Sequence, residues 1–166
     1  SAKKKFDAWM QKNFAFCFGF ELHYMGIQPK IIAEKYMEEI DQVYDYKFMC
    51  FDGEVKFIWV DTDRFTDHRR TLFTPKWERM NETIKCLPAD YDIPKPKNFE
   101  QMLKCATILS QNFAHVRVDF YDVNGHIYFG EMTFTSGSGT EHANPREFEL
   151  TMGNWIKLPP KSPIPE

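Results

Sequence analysis

The chain has 166 residues, with 21 basic and 24 acidic side chains and a net charge of −3. This near balance argues against a nucleic-acid-binding protein, which usually carries a basic patch; the one basic run is Lys3-Lys4-Lys5. The length suits one domain with a sizeable core. There is no apolar run long enough for a membrane span and no signal peptide, so we expect a cytoplasmic protein.

Cysteine and serine contexts exclude several kinds of site. The four cysteines are far apart and form no CxxC pair, which argues against a zinc or redox motif. Cys50 and Cys105 sit in apolar patterns, so buried free thiols are expected. No serine lies in a GxSxG context, which argues against a hydrolase triad.

In chain order, the first predicted element is a short helix over residues 3–13, with Phe6, Trp9 and Met10 on one side. Residues 31–40 fit either a helical stripe or a strand, because periodicity cannot settle short apolar runs.

Residues 46–60 predict a hairpin, because Asp52-Gly53 is a strong signal for a two-residue turn. The predicted register places six apolar residues on one face of this hairpin, in the pairs Tyr46–Trp59, Phe48–Phe57 and Cys50–Val55. The opposite face would carry Lys47 and Met49.

Residues 87–97 contain three prolines and form a connector. A helix is predicted from there to about residue 110, with Asn98 as its N-cap and Gln101 at the capping-box position. Its buried stripe would be Phe99, Met102, Leu103, Ala106 and Leu109.

The most informative stretch is residues 117–139, which predicts two strands around Asn124-Gly125, followed by a glycine-serine loop. Strand side chains alternate between faces. Even positions are mostly apolar and suit a core. The odd positions include an arginine, two carboxylates and a hydroxyl, namely Arg117, Asp119, Glu131 and Thr133.

The turn decides whether these residues meet. A plain two-residue loop would pair Val123 with His126 and place Asp119 and Glu131 on opposite faces. A three-residue loop would pair Arg117 with Glu131 and bring all odd positions to one face, with the two carboxylates diagonal and roughly 7–8 Å apart at the backbone. A compensating bulge would also restore a shared face. That face suits a divalent cation beside phosphate, but a solvated charged face would show the same alternation.

The order Arg-x-Asp, Gly-bearing turn, Glu-x-Thr and Gly-rich loop resembles the metal-binding end of ATP-grasp enzymes. The stretch is most similar to their teichuronopeptide-biosynthesis (TupA-like) branch, which occurs in bacterial polysaccharide gene sets and is often labelled glycosyltransferase. The other segments that resemble this branch are residues 29–37, 45–53, 61–65 and 95–110.

The resemblance implies an α+β fold, with an ATP-grasp-like antiparallel sheet and flanking helices. Residues 1–156 would form a partial ATP-grasp domain, and residues 157–166 a Pro-rich C-terminal tail. The Gly-rich phosphate loop of ATP-grasp enzymes has no counterpart before Gly137, so we expect a chain that is incomplete at its N-terminal side. Alone, it should bind ATP weakly, be inactive and self-associate through an uncovered apolar edge.

The resemblance also implies ATP and Mg²⁺ as cofactors. Asp119 and Glu131 would hold Mg²⁺, with Thr133 where many relatives have asparagine. Arg117 would stabilise charge on the transferred phosphoryl group. The implied nucleotide contacts are Glu34, Lys35, Tyr36 and Met37 at an adenine hinge that follows a strand over residues 31–35, Asp45 at the ribose, and Lys47 and Arg64 near the phosphates.

The leading interpretation is the ATP-grasp portion of an ATP- and Mg²⁺-dependent carboxylate–amine ligase-like protein of bacterial cell-surface polysaccharide biosynthesis. It would act on a small molecule or a polysaccharide precursor, through an acylphosphate that an amine attacks. One alternative is a glycosyltransferase that binds a metal-held sugar nucleotide through Asp61-x-Asp63. Another is a non-catalytic nucleotide-binding module.

Overall fold

The computed structural model describes residues 2–17, 19–34, 44–158 and 160. The helices are α1 (Ala2–Met10), α2 (Phe99–Leu109) and α3 (Arg146–Trp155). The strands are β1 (Asp45–Phe51), β2 (Glu54–Thr62), β3 (Arg69–Phe73), β4 (Thr83–Ile84), β5 (His115–Val123), β6 (His126–Thr133) and β7 (Ala143–Asn144).

Five strands form an antiparallel sheet in the order β3-β2-β1-β5-β6, and β4 pairs with β7 separately. All seven residues of the central strand β1 are buried. Helices flank this sheet, which confirms the predicted α+β class. Among the described residues, no helix combines the length and the apolar character that a membrane crossing requires.

The chain divides into two compact units, one made of Ser1–Glu38 with Thr135–Glu141 and the other of the remaining residues. The first unit contains α1, which has no buried residue. Residues 31–34 in that unit are not in a strand, so the predicted strand there is wrong for these four residues. The rest of the predicted hinge lies outside the described residues.

Helix α2 covers one side of the five-stranded sheet, which we call the back face and which carries Phe48 of β1. Phe99, Met102 and Ala106 recur at helical spacing and are fully buried. The Phe99 ring stacks 6.0 Å from that of Phe48. The predicted stripe is therefore largely confirmed, although Leu109 at its end is exposed.

Asn98 does not cap α2 through its side chain. Its amide nitrogen instead donates to the Asp122 carboxylate at 3.2 Å and to the Gly125 carbonyl at 2.9 Å. The predicted capping box with Gln101 is therefore wrong. The Asn98 side chain therefore links the start of α2 to the β5–β6 turn.

The opposite side of the sheet, which we call the front face, carries the odd-numbered residues of β1. Helix α3 covers its apolar end. The Phe148 ring lies 5.3 Å from Phe57, and the Trp155 ring lies 5.3 Å from Phe51. The rest of the front face is charged and forms the candidate site.

The β1–β2 hairpin turns at Asp52-Gly53 and pairs Cys50 with Val55, as predicted. A bulge next to Met49 then adds one residue to β2. The predicted pairs Tyr46–Trp59 and Phe48–Phe57 are wrong. The observed pairs are Tyr46–Val60, Lys47–Trp59 and Phe48–Ile58.

The β5–β6 hairpin has a plain two-residue turn, with Val123 paired to His126. Asn124 and Gly125 have φ values of 53° and 78°, as a tight hairpin turn of this length requires. The predicted three-residue loop is therefore wrong.

A bulge opposite Asp119 compensates for this turn, as the alternative required. The observed pairs are Val118–Met132, Phe120–Phe129 and Arg117–Thr133. Arg117 is therefore not paired with Glu131. The extra residue on β6 turns Glu131 to the front face, whereas Phe129 packs edge-on against Phe120 on the back face. Not all odd positions share one face, but the polar ones do.

Candidate functional site

Charged residues from three neighbouring strands meet on the front face. Asp45 and Lys47 come from β1, Arg117 and Asp119 from β5, and Glu131 from β6. We call these five residues the charged cluster. The β1–β5 register places Lys47 directly opposite Asp119, and directly opposite residues share a face.

Asp119 is the centre of the charged cluster and is only 2% exposed. Lys47 Nζ donates to its Oδ2 at 2.6 Å. Arg117 Nε and Nη2 donate to Oδ1 and Oδ2, each at 2.7 Å. A bidentate, charge-assisted pair fixes orientation as well as charge, so the carboxylate is held rigidly.

Glu131 forms the solvent-facing side of the charged cluster, with its side chain 60% exposed. Its Oε1 accepts from Arg117 Nη2 at 2.5 Å and from the Thr133 hydroxyl at 2.8 Å. One guanidinium nitrogen thus contacts both a buried carboxylate and an accessible one.

Arg117 stays cationic in this setting. Burial opposes its charge, but the hydrogen bonds and charge of Asp119, with the charge of Glu131, outweigh burial and raise the guanidinium pKa. The fold therefore keeps a fixed positive group at the accessible side of the charged cluster.

Asp45 forms the inner end of the charged cluster. Its Oδ2 lies 2.7 Å from Lys47 Nζ and 2.7 Å from Arg64 Nη1. Burial raises the pKa of Asp45, although both cations act in the opposite direction. Its buried Oδ1 has no hydrogen-bond partner among the described residues. Such an oxygen costs about 1–3 kcal/mol, and it can still accept a donor or a cation.

A second ion pair lies beside the charged cluster on β2 and β3. Arg70 Nε and Nη2 donate to Asp61 Oδ1 and Oδ2 at 2.7 and 3.1 Å. Burial opposes ionisation of Asp61, but the Arg70 hydrogen bonds and charge hold its pKa below the usual range. Asp63 instead accepts from the Tyr91 hydroxyl at 2.5 Å. Asp61 and Asp63, the two aspartates of the Asp-x-Asp motif, thus contact different residues.

Trp59 lies beneath both arginines of these ion pairs. Its ring centroid is 3.9 Å from Arg70 Cζ and 5.4 Å from Arg117 Cζ, distances that give cation–π attraction. The predicted position of Trp59 on the opposite face is wrong, because the sequence of the turn gives no sign of the bulge in β2. An aromatic residue beside an arginine cannot be recognised without the register.

The structure brings together most of the predicted site residues. Glu34 is exposed and belongs to the other compact unit. Lys35, Tyr36 and Met37 lie outside the described residues. The residues that meet on the front face, with those contacting them, are Asp45, Lys47, Arg64, Arg117, Asp119, Glu131 and Thr133.

The family model described as TupA-like ATPgrasp matches residues 1–157, which is nearly the whole chain. The chain belongs to the TupA-like ATP-grasp family. It matches no curated protein and no solved structure. The resemblance seen in the sequence is therefore confirmed at the level of the family.

ATP-grasp proteins generally bind ATP with Mg²⁺, and the donors of the charged cluster suit that ion. Mg²⁺ prefers oxygen ligands and usually keeps several waters while binding one or two carboxylates and substrate phosphates. Asp119 and Glu131 provide two carboxylates that contact the same Arg117 nitrogen, and Thr133 adds a hydroxyl. In the part of the chain that the structure describes, no three His, Cys, Asp or Glu side chains could hold a metal by themselves. Phosphate oxygens and water would complete the shell.

Proposed function

We propose that this chain is the ATP-grasp portion of an ATP- and Mg²⁺-dependent carboxylate–amine ligase-like protein of bacterial cell-surface polysaccharide biosynthesis. Family membership supports the nucleotide. The observation that carries the proposal is the single Arg117 nitrogen that contacts both Asp119 and Glu131. The polysaccharide setting and the carboxylate and amine substrates rest on the resemblance of the sequence.

Asp119 and Glu131 would hold Mg²⁺, with Thr133 as a further oxygen donor. When bound, the ion neutralises and orients phosphate oxygens. Arg117 is already fixed by its bidentate bond to Asp119. It would place positive charge where negative charge develops on the transferred phosphoryl group, at no reorganisation cost during the reaction.

Lys47 and Arg64 would supply the remaining positive charge. An ammonium group has three N–H donors, and the described contacts of Lys47 use two of them, to Asp45 and Asp119. The third N–H of the Lys47 ammonium would donate to a phosphate oxygen. Arg64, 45% exposed in its side chain, would contact the nucleotide from the solvent side while holding Asp45, the proposed ribose residue.

The adenine contacts are proposed for Glu34, Lys35, Tyr36 and Met37, from the resemblance of their segment to an adenine hinge. Of these, Glu34 is exposed.

An NMR titration of the ¹⁵N-labelled chain with ATP and Mg²⁺ tests the proposal. We expect progressive shifts in β5 and β6 around Asp119 and Glu131, at concentrations that indicate weak binding. Glu131→Gln should reduce these shifts, because it removes one accessible carboxylate. Glu54→Gln is the matched control, since Glu54 is an exposed carboxylate of the same sheet, bonded to Lys56.

Two outcomes would contradict the proposal. The site assignment would be wrong if ATP shifted no residue of the charged cluster, or if Glu131→Gln and Glu54→Gln behaved alike. A parallel titration with a sugar nucleotide and Mg²⁺ addresses the glycosyltransferase alternative. Shifts confined to the segment around Asp61 and Asp63, with no response to ATP, would favour that alternative.

A further inference from the structure

A thiol, an imidazole and a carboxylate form a chain of contacts at the edge of the second ion pair. Cys86 Sγ lies 3.7 Å from His68 Nδ1. His68 Nε2 lies 3.2 Å from Asp61 Oδ1, without the angles of a good hydrogen bond. A nucleophile beside a base that a third group orients is the arrangement that activates nucleophiles in enzymes.

The backbone on both sides of Cys86 is anchored, so this contact does not depend on a loose loop. Lys85 has a φ of 62° and its N–H donates to the His142 carbonyl at 3.1 Å. After the cysteine, the Leu87 carbonyl accepts from the Arg70 N–H at 3.0 Å. The thiol is thus held beside His68 by the start of β3.

His68 lies between the thiol and the second ion pair, with one ring nitrogen toward each. Asp61 Oδ1 is shared between His68 Nε2 and Arg70 Nε. Because Asp61 lies at Nε2, the ring nitrogen that faces the thiol is Nδ1. Asp61 remains ionised because the Arg70 hydrogen bonds hold its pKa low despite burial.

The other cysteines lack this setting. Burial raises the pKa of Cys50 to about 11. Cys17 is exposed, and Cys105 is half-buried. Cys50 contacts the His115 ring through its backbone carbonyl, whereas Cys86 brings its thiol within 3.7 Å of a histidine ring nitrogen.

We propose that Cys86 is a reactive thiol, activated by His68 and Asp61, that undergoes thiol–disulfide exchange with small disulfides. His68 Nδ1 takes the proton from Cys86 Sγ, and the thiolate attacks one sulfur of the disulfide. A new S–S bond forms to Cys86 as the old one breaks. The released thiolate takes the proton from His68. Cys86 is oxidised to a mixed disulfide and the other half of the small disulfide is reduced to a thiol.

This site is separate from the proposed nucleotide site but adjoins it through Asp61, Arg70 and Trp59. A mixed disulfide at Cys86 would sit against His68 and thus next to the Asp61–Arg70 pair. The modification does not depend on ATP binding, so each proposal can fail without the other.

The test is the rate of reaction of the native chain with the aromatic disulfide 5,5′-dithiobis(2-nitrobenzoic acid), with peptide mass spectrometry to assign each thiol. At about pH 7, Cys86 should react about ten-fold faster than the more exposed Cys17. Cys86→Ser should remove this fast phase. His68→Gln should slow it about ten-fold at about pH 7 but not at about pH 9.5, where thiols ionise unaided.

His126→Gln is the matched control, because His126 is an exposed histidine of β6, and it should leave the fast phase unchanged. A role of His68 in packing alone would alter the rate equally at both pH values. The proposal is overturned if Cys86 reacts no faster than Cys17, or if His68→Gln leaves the rate at neutral pH unchanged.

Discussion

The two proposed metal ligands differ in how far the fold depends on them. Asp119 is buried and neutralises Lys47 and Arg117, whereas Glu131 is largely exposed. Asp119→Ala should therefore cost about 3–5 kcal/mol of unfolding free energy, because it leaves buried cations uncompensated. Glu131→Ala should cost at most about 1 kcal/mol. Urea unfolding followed by circular dichroism measures both.

Equal losses for the two variants would contradict this account of the charged cluster. Both variants should still lose Mg²⁺-dependent nucleotide binding. Glu131→Ala should therefore lose binding with little loss of stability, whereas Asp119→Ala should lose both. Functional assays should therefore use Glu131 as the primary variant.

Asp61 predicts a pH dependence of stability. Its folded-state pKa lies below the ordinary value of 3.8, because the Arg70 hydrogen bonds and charge outweigh burial. A lowered carboxyl pKa contributes stability that is present above about pH 3.8 and lost as pH falls through the folded-state value. Asp61→Asn should thus be less stable at about pH 7, and its stability should fall less steeply on acidification.

Thermal unfolding between about pH 7 and about pH 3 measures this difference. Asp7→Asn is the control, since Asp7 is exposed and pairs with Lys3 on α1. If the stability of wild type and of Asp61→Asn changed with pH in the same way, ionisation of Asp61 would not contribute to the pH dependence of stability, and the prediction would be wrong. Asp45 should affect the pH dependence of stability in the opposite direction, because burial raises its pKa.

Residue types could be predicted from the sequence better than their partners. Alternation along one strand was enough to place Arg117 and Asp119 on one face, whereas adding Glu131 required a loop of odd length or a bulge. It could not reveal that Lys47 bridges two carboxylates or that Trp59 lies below the arginines, since both depend on the register with neighbouring strands.

At the scale of elements, two bulges decide which side chains share a face. The turns at Asp52-Gly53 and Asn124-Gly125 were both recognisable, because their residues adopt positive φ. Each bulge adds one residue to a strand without altering the turn, so turn chemistry could not locate it. Only the expectation that Asp119 and Glu131 share a face indicated a bulge in β6.

The β5–β6 turn gives a prediction at this scale. Gly125 has a φ of 78°, a conformation that costs a residue with a Cβ about 1–2 kcal/mol. Gly125→Ala should reduce the unfolding free energy by about that amount. Gly26→Ala should cause no comparable loss, because both positions have open space for a Cβ but Gly26 does not have a positive φ.

Chemical denaturation of the two alanine variants measures the difference. If Gly125→Ala were as stable as Gly26→Ala, the two-residue turn would not be the conformation in solution. The face assignment of Glu131 would then need another register.

At the scale of the molecule, the two compact units differ in how their amides should be protected. All seven residues of β1 are buried, whereas α1 has no buried residue. Amides of β1 should therefore exchange with deuterium only through global unfolding, and those of α1 far faster. Hydrogen–deuterium exchange with mass spectrometry measures both, and similar protection of α1 and β1 would contradict this description.

The fold class could be predicted at this scale because the resemblance to ATP-grasp enzymes implied it, and the local hairpin and helix patterns agreed with it. The strand over residues 31–35 could not be predicted from the residues alone, because the short apolar run fits either a helix or a strand. Its assignment as a strand depended on the resemblance. The contacts of residues 31–34 give no strand pairing. Propensity alone does not specify an element that depends on long-range partners.

The most direct test of the central claim is the position of a bound metal–nucleotide complex. Mn²⁺ also prefers oxygen ligands in octahedral geometry, and it broadens NMR signals of nearby nuclei. Adding Mn²⁺ with ATP to the ¹⁵N-labelled chain should first broaden the amides around Asp119 in β5 and Glu131 in β6, while those of α2 on the back face stay sharp. Broadening centred on any other part of the chain, with β5 and β6 unaffected, would contradict the account.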